Sequence, residues 1–253
     1  MAEDYIRDVT LYNSDCLAAM KAIPDCSVNL ILTDPPYKVT AQKWDVEVNL
    51  DGLWIEWCRI IRNDGAIVVF GQEPFSSKVR CSNLQMYRYD LIWKKPKPSN
   101  FQLMNYQPGR VTENIMVFSK SKACFTSKGN NMKYNPQVVE RDKPRKSNVK
   151  IYGDARLLHD YATDDNIKTY DVRQPTNILE FATVTRGKTH PTEKPVDLLG
   201  WLVRTYSDDG DIVLDCFMGT GSTGEACIAN GRRFIGIEKD LGFFNTAKLR
   251  LLV

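Results

Sequence analysis

The sequence lacks the features that define several classes of protein. No apolar run in its 253 residues approaches the length that a membrane-spanning helix needs. The first residues, Met1–Asp4, carry two acids and no positive charge, which is unlike a secretion signal. The seven cysteines are scattered, odd in number and without a Cys-x-x-Cys pair, which argues against structural zinc and disulfide bonds. We therefore expect a soluble, cytoplasmic protein with no metal and no membrane contact.

The composition is that of a globular chain. Hydrophobic residues make up 43% of the sequence, enough for a substantial core, and charged residues make up an ordinary 26%. The length suits one large α/β domain or one such domain with an insertion. The net charge of +3 says little by itself, because its distribution along the chain is uneven.

Strand and helix patterns alternate along most of the chain. Seven apolar or alternating runs are predicted as strands: Val9–Asp15, Val28–Asp34, Ala66–Phe70, Tyr87–Lys94, Glu113–Ser119, Asp211–Phe217 and Arg233–Glu238. Six segments are predicted as helices: Cys16–Ile23, Leu50–Arg62, Glu73–Leu84, Pro195–Ser207, Glu225–Asn230 and Leu241–Leu251. Such alternation predicts a mostly parallel sheet covered by helices on both faces. The fourth and fifth strands have no convincing helix between them and are predicted to form an antiparallel hairpin at one edge.

A basic, turn-rich region interrupts this pattern over residues 121–188. Its first half carries many more cations than acids. A charge run is usually a solvated face, but a basic insertion in an α/β domain more often contacts nucleic acid. The candidate nucleic-acid contacts are Lys128, Arg141, Lys143, Arg145 and Lys146.

The segment Thr33–Tyr37 ends the second predicted strand in a stiff conformation, because a strand cannot continue through two prolines. It presents the Asp34 carboxylate, the Pro35 carbonyl group and the Tyr37 ring. Two acceptors and a flat aromatic surface could hold a planar ring that bears an amino group. In the alternative interpretation, Asp34 caps a neighbouring helix and Tyr37 fills the core. A polar segment, residues 38–47, follows and is a candidate lid.

A second motif places glycines between a strand and a helix. Gly219 and Gly221 let the backbone approach a ligand closely, and the helix start favours an anionic group. The next strand ends at Glu238, whose carboxylate can accept both hydroxyl groups of a ribose. With Gly224 the segment also satisfies G-x-G-x-x-G, so a dinucleotide fold is an alternative.

The chain end argues against the dinucleotide alternative. Only about one helix follows Glu238, so further strands must come from the N-terminal part of the chain. If the strands of Leu30 and Val213 are neighbours, the glycine turn and Asp34–Tyr37 face one crevice at the strands' carboxyl ends.

The two motifs in this order, with a basic region between them, resemble the amino-group DNA methyltransferases of the permuted beta class. The resemblance covers most of the chain outside 121–188. It is carried by five segments: Asp15–Tyr37, Trp93–Pro96, Glu113–Lys120, His190–Pro195 and Asp215–Glu238. It implies a class I S-adenosylmethionine-dependent methyltransferase fold, circularly permuted, with a seven-stranded mostly parallel sheet and one antiparallel edge strand. It also implies a catalytic half at 1–120, an inserted target-recognition region at 121–188 and a cofactor-binding half at 189–253.

The resemblance implies S-adenosylmethionine as methyl donor and a flipped base in double-stranded DNA as acceptor. The catalytic residues would be Asp34, Pro35, Pro36 and Tyr37. The cofactor-binding residues would be Asp15, Thr192, Lys194, Asp215, Phe217, Gly219, Gly221 and Glu238. Two of these have simpler interpretations: Asp15 as the cap of the first helix, and Lys194 as a solvated lysine before a helix.

Adenine is the expected acceptor, and the N4 amine of cytosine or a base in RNA are the alternatives. If Asp34 and the Pro35 carbonyl accept the two N–H groups of the amine, its nitrogen can pyramidalise and aim its lone pair at the methyl group. From other classes, a noncatalytic DNA-binding protein and a nicotinamide oxidoreductase remain open. A homodimer is expected, because the inserted region is small for gripping a duplex alone.

Overall fold

A computed structural model describes residues 3–6, 8–37, 47–124, 129–148, 167–184 and 193–252. The candidate lid over 38–46 and two predicted site residues, Lys128 and Thr192, lie outside these ranges. The strands are β1 Glu3–Ile6, β2 Val9–Asn13, β3 Val28–Thr33, β4 Ile61–Gly71, β5 Tyr87–Lys94, β6 Thr112–Phe118, β7 Val139–Asn148, β8 Ile167–Arg173, β9 Ile178–Glu180, β10 Ile212–Asp215 and β11 Arg233–Glu238. The helices are α1 Cys16–Met20, α2 Leu50–Ile60, α3 Phe75–Ser82, α4 Val196–Tyr206, α5 Ser222–Ala229 and α6 Leu241–Leu252.

The main sheet confirms the predicted alternation. Its strand order is β1-β2-β11-β10-β3-β4-β6-β5-β9, and the strands from β2 through β4 in this order run parallel. All seven predicted strands and all six predicted helices are present, with ends that differ by a few residues. The strands from the N-terminal part complete the sheet on both sides of the C-terminal pair β10 and β11, as expected.

Two details of the predicted sheet are wrong. In the described residues the main sheet has nine strands rather than seven, because β1 and β9 extend its two edges. The antiparallel strand β6 is not at the edge but lies between β4 and β5, antiparallel to both. Burial explains the placement, since β6 is almost wholly inaccessible from Ile115 to Phe118, whereas β5 is mostly half-buried. The more apolar strand takes the inner position, where both its edges and both its faces are covered.

Helices cover both faces of the sheet and form two cores. One core contains Leu202 and Tyr206 of α4 with residues of α5 and α6. The other contains Trp57 and Ile60 of α2 with residues of α1 and α3. These large side chains are fully buried, so the amphipathic faces read from the sequence do face the sheet. Among the described residues, no helix is both long enough and apolar enough to cross a membrane.

The described residues of the region predicted as an insertion form three structural parts. Its start packs on the main domain, because Met132 is buried in the core and the backbone N–H of Asn135 donates to the carbonyl of Thr205 in α4 at 2.7 Å. Strands β7 and β8 then pair antiparallel in a separate two-stranded sheet. Strand β9 returns to the main sheet and pairs in parallel with β5.

Candidate active site

The cleft at the carboxyl ends of β3 and β10 brings the two sequence motifs together. The two strands are parallel neighbours with Val213 opposite Leu30, so the segments that follow them leave the sheet at one edge. Both Asp34–Tyr37 and the turn from Phe217 to Gly219 line one cleft of about 1470 Å³. This volume exceeds the 300–1,000 Å³ of ordinary single-ligand pockets and leaves room for two reactants. The expectation that the two motifs face one crevice is confirmed.

Asp215, the last residue of β10, lines this cleft. Its carboxylate accepts hydrogen bonds from the hydroxyl groups of Thr33 at 2.8 Å and Thr223 at 2.7 Å, and from the backbone N–H of Phe217 at 3.1 Å. The side chain is buried, and burial raises the pKa of Asp215 to about 6, against the opposing effect of these hydrogen bonds. Because the Asp215 side chain is buried and its carboxylate accepts three hydrogen bonds from protein groups, we assign it to holding the ends of β3 and β10 in place.

Asp34 accepts hydrogen bonds from two side chains in the cleft. The Tyr37 hydroxyl group donates to one carboxylate oxygen, and the Lys194 ammonium group donates to the other. Burial raises the pKa of Asp34, Glu113 adds to the rise, and Lys194 opposes it. In the described part of the chain, no helix N–H group donates to Asp34, so the capping interpretation finds no support.

Glu113 and Lys95 belong to the same cluster, and the sequence reasoning missed both. One oxygen of Glu113, Oε1, lies 3.1 Å from Lys194 Nζ, and the other, Oε2, lies 2.6 Å from Lys95 Nζ. The Glu113 side chain is only 3% exposed. Burial alone would raise the pKa of Glu113, but the two ammonium groups outweigh it and lower the pKa to about 2. The available signal was a single carboxylate near the start of a strand whose last four residues are apolar.

Lys194 is buried rather than solvated. Its side chain is 8% exposed, and its ammonium group lies 5.0 Å from the centre of the Phe70 ring. Burial disfavours the charge, but Asp34 and Glu113 outweigh burial and raise the pKa of Lys194 above its ordinary value. The interpretation of Lys194 as a solvated lysine is therefore wrong. The cation is bound to the Asp34 side of the cleft.

Tyr37 is half-buried and has a defined orientation. Its ring stacks on Phe75 of α3 with the ring centres 5.0 Å apart and the planes at 28°. Burial, with Asp34 and Glu113 adding to it, raises the pKa of the Tyr37 hydroxyl well above its ordinary value. The hydroxyl group therefore keeps its proton and acts as a donor.

The glycine turn and Glu238 form the other side of the cleft. Gly219 has a φ angle of +53°, and its backbone N–H donates to Glu238 Oε2 at 3.0 Å. The other oxygen of Glu238 accepts from the backbone N–H of Asp240 at 2.7 Å. Glu238 and the half-buried ring of Phe217 both line the cleft. This side thus offers an oriented carboxylate, an aromatic surface and a backbone that a ligand can approach closely.

Gly221 has a different structural reason for being glycine. Its φ angle is +84°, and a side chain there would place Cβ 3.0 Å from Leu251 Cδ1 and 3.2 Å from Ala247 Cβ in α6. Gly221 therefore packs closely against α6, and it is not among the residues that line the cleft.

Asp15 caps α1, as its simpler interpretation predicted. Its carboxylate accepts from the backbone N–H of Leu17 at 3.1 Å and lies 3.7 Å from Lys239 Nζ. The side chain is 52% exposed and lines the same cleft as Phe217 and Glu238. The cap leaves it accessible to a ligand.

A loop over residues 96–110 forms the rim of the cleft. It is closed at its base, where the backbone N–H of Ser99 donates to the carbonyl of Arg110 at 2.9 Å and Asn100 accepts from the backbone N–H of Arg110. Its tip exposes apolar side chains to solvent: Phe101, Leu103, Met104 and Tyr106. Phe101 is 69% exposed and Tyr106 is 88% exposed. The loop contains no acid.

Four of the five predicted nucleic-acid contacts lie on β7, in the β7–β8 hairpin, and the fifth, Lys128, lies outside the described residues. Arg141 Nε donates to the carbonyl of Val172 on the opposite strand at 3.1 Å, so this side chain supports the hairpin itself. Lys143 is exposed. For Arg145 and Lys146 only the backbone is described, as part of β7.

The strand order and the position of the cleft define a class I methyltransferase fold, and known structures agree with it. The crystal structure of an M1.HpyAVI–SAM complex matches with a TM-score of 0.61 and 22% identity, covering 96% of this chain and 100% of the other. The PvuII cytosine-N4-specific DNA methyltransferase matches with a TM-score of 0.66 and 16% identity, covering 97% of this chain and 86% of the other.

The sequence comparison identifies the family. The profile of the DNA methylase family, which comprises N6 and N4 methyltransferases, matches residues 28–249, and the chain belongs to this family. The DNA adenine methyltransferase YhdJ of Escherichia coli (strain K12) is 29% identical over 259 residues, covering 96% of this chain and 82% of the relative. The protein is a DNA methyltransferase.

Proposed function

We propose that this DNA methyltransferase transfers a methyl group from S-adenosylmethionine to the exocyclic amino group of adenine in double-stranded DNA. The observation that carries the proposal is the pairing of β3 with β10, which sets Asp34 and the glycine turn in one cleft. A carboxylate suited to an amine therefore stands beside a turn suited to a nucleoside. Within the family, we assign the chain to the permuted beta class, because the glycine-turn unit follows Asp34–Tyr37 in sequence.

The cleft has the hydrogen-bond acceptors and the aromatic surface that a nucleoside cofactor requires. Glu238 is aligned by two backbone N–H groups, and its remaining lone pairs can accept ribose hydroxyl groups. The Phe217 ring offers a face to the adenine, and the exposed carboxylate of Asp15 can accept from its amine. Bound there, S-adenosylmethionine supplies a methyl group on a positively charged sulfur. The M1.HpyAVI–SAM complex, which has the same fold, supports this assignment.

Lys194 and Thr192 belong to this proposal in different ways. Lys194 binds Asp34 in the described structure, so we assign it to the boundary between the two reactants. Thr192 stays assigned to the cofactor's carboxylate end. We assign Asp215 to supporting the site through its hydrogen bond with Thr33, and Gly221 to supporting it through its packing against α6.

Asp34 is the group that activates the acceptor. The lone pair of an exocyclic amine is delocalised into its ring, which makes the amine a poor nucleophile. When Asp34 and the Pro35 carbonyl accept its two N–H bonds, the nitrogen can pyramidalise and direct its lone pair toward the methyl group. The contact with Asp34 strengthens as the nitrogen gains positive charge, so it stabilises the transition state more than the ground state. Holding both reactants in place supplies much of the remaining acceleration.

The target base must leave the helix stack to reach Asp34. Tyr37, oriented by Phe75, provides an aromatic surface that replaces part of the lost stacking. The rim loop exposes Phe101 and Tyr106 beside the cleft, where apolar side chains can stack on unpaired bases. Lys97 in this loop is exposed and faces no acid within the loop, which suits a phosphate backbone.

The β7–β8 hairpin is the proposed target-recognition element, within an inserted region at 121–188 between functional parts at 1–120 and 189–253. Its exposed Lys143 and the other basic residues of β7 suit contacts to DNA phosphates. We also propose a cytoplasmic homodimer. Light scattering without DNA should give about twice the chain mass of 28.9 kDa, and a monomer mass would exclude the dimer.

One experiment tests the reaction and identifies the base. DNA is incubated with the protein and isotope-labelled S-adenosylmethionine, digested to nucleosides and analysed by mass spectrometry. The expected product is labelled N6-methyladenine. Labelled N4-methylcytosine would replace adenine by cytosine as the target, since both bases present an equivalent amine. DNA without label, under conditions in which the protein binds the cofactor, would refute the proposed reaction.

A further inference from the structure

Asp34 is not a free acceptor in this structure. Its two oxygens accept from the Tyr37 hydroxyl group and from the Lys194 ammonium group. An ammonium ion on Asp34 weakens it as an acceptor for an amine that becomes positively charged, because the two cations repel at short range. The carboxylate acts at full strength only when Lys194 is shared with another anion.

Glu113 is placed to be that anion. Its Oε1 lies 3.1 Å from Lys194 Nζ and 3.3 Å from the Tyr37 hydroxyl oxygen, so both donors of Asp34 already reach the same second acceptor. The Tyr37 hydroxyl has one proton, so it bonds fully to only one of the two carboxylates at a time. A small movement of each donor transfers it from Asp34 to Glu113.

Lys95 leaves this acceptor oxygen available. It binds the opposite oxygen, Oε2, at 2.6 Å, and its ammonium group lies 4.7 Å from the centre of the Trp93 ring. Glu113 and Lys95 are both buried, so the pair is held at one orientation by packing. The cluster of Asp34, Glu113, Lys95 and Lys194 contains two anions and two cations. Without Glu113, the developing charge on the amine would meet an excess of positive charge.

We infer that Glu113 is a positioning residue that takes over the Tyr37 hydroxyl and the Lys194 ammonium group when the target amine binds Asp34. The inference rests on the proposed function, since it concerns the acceptor amine of that reaction. It predicts a role in methyl transfer for a residue that need not contact either reactant.

The test uses Glu113→Gln in the full chain, with saturating cofactor and DNA and single-turnover rates per folded enzyme. Glutamine keeps the size but removes the charge, so the rate should fall roughly tenfold or more, as for a lost hydrogen bond to a charged group. Cofactor and DNA affinities should stay within about twofold. Asp90→Asn is the matched control. Asp90 lies on β5, the strand beside that of Glu113, and its half-buried carboxylate is 2.9 Å from Arg80 of α3. It should lower stability without lowering the rate.

A second background separates positioning from general damage. In Lys194→Met, which removes the shared cation, Glu113→Gln should cost much less rate than in the parent protein, because the two residues act through one interaction. An equal loss in both backgrounds, an unchanged rate, or a loss explained by cofactor affinity would overturn the inference. The parent protein is assayed first. If it transfers no methyl group, the proposed function fails; if it does and Glu113→Gln matches it, only this inference fails.

A structure of the parent protein covers the case in which the variants do not fold. With S-adenosylhomocysteine and a duplex bearing the methylated sequence, Lys194 Nζ and the Tyr37 hydroxyl should lie closer to Glu113 than to Asp34. Both donors remaining on Asp34 beside the bound amine would refute the exchange.

Discussion

The hydroxyl group of Thr33 donates to Asp215 Oδ1 at 2.8 Å and joins two strand ends that are 182 positions apart in the chain. Thr33 is the last residue of β3, directly before Asp34, and Asp215 is the last residue of β10, before the glycine turn. The bond is fully buried. It ties the acceptor side of the cleft to the cofactor side, so a change at this contact should affect both.

The first prediction concerns the charge of Asp215. Its folded-state pKa of about 6 lies above the ordinary value of 3.8. A raised folded-state pKa means that its contribution to stability is fully present below about pH 4 and is lost as the pH rises through 6. Asparagine does not ionise, so Asp215→Asn should not lose stability as the pH rises through 6. The free energy of unfolding of the variant, relative to the parent, should therefore rise by roughly 2–3 kcal/mol between pH 4 and pH 7. Urea unfolding across this range measures it, and a difference independent of pH would contradict the assignment.

The second prediction separates the two halves of the site. Asp34 is assigned to the acceptor amine, so Asp34→Ala should keep cofactor affinity. The free-energy barrier to methyl transfer should rise by at least ~3 kcal/mol, which lowers the rate about a hundredfold or more. Calorimetry measures cofactor binding, and single-turnover assays with saturating DNA measure transfer. Thermal melts serve as the control for folding. A destabilised variant that turns over at the parent rate would instead make Asp34 a structural residue.

The third prediction contrasts two glycines of one turn. Gly219→Val should abolish cofactor binding, because Gly219 lines the cleft beside Glu238. Gly221→Ala should instead destabilise the fold by about 1–2 kcal/mol, since its φ of +84° is strained for alanine. The new Cβ would also press on Leu251 of α6. Cofactor titration and urea unfolding of both variants test the contrast. Equal loss of cofactor affinity in the two would place Gly221 in the binding surface.

The fourth prediction concerns the hairpin. Lys143→Ala with Arg145→Ala should weaken DNA binding and reduce the slope of log K against log salt by about 2, as two phosphate contacts are lost. The control pair Lys21→Ala with Arg62→Ala removes equal charge near the amino-terminal ends of β3 and β4, away from the cleft. It should leave the slope unchanged. If both pairs behave alike, the hairpin is not at the interface.

The fifth prediction concerns the rim loop. Phe101→Ser with Tyr106→Ser should leave stability within about 0.5 kcal/mol, because both side chains are exposed. DNA affinity should fall by about 1–3 kcal/mol for each stacked base that is lost. Ile55→Ser is the matched control, since Ile55 is an apolar residue on α2 with 68% exposure. DNA titrations with fluorescent duplexes compare the double variant and the control with the parent protein, and an unchanged affinity in the double variant would remove the loop from the DNA surface.

The sequence by itself determined the local elements and the two motifs. The apolar run of β4 is typical of a buried strand, and Pro35 with Pro36 cannot continue β3. The glycine turn followed by a helix and by Glu238 indicated a nucleoside site. These signals are short-range, because backbone sterics and hydrophobic period act over a few residues. They sufficed to predict a mostly parallel α/β sheet and the order of its elements. The meeting of the motifs in one cleft was predicted only on the condition that the strands of Leu30 and Val213 are neighbours, and the structure shows that pairing.

Only the tertiary structure decided which charged residues contact one another. Glu113 and Lys194 lie 81 positions apart in the sequence, and nothing in either local pattern marks them as partners of Asp34. Their contact depends on β6 lying between β4 and β5, which depends on the burial of the whole strand. Likewise, only the fold places Gly221 against Leu251 and Ala247 of α6. Strand order and helix packing are set by the summed burial of the core, and a local sequence pattern does not contain that sum.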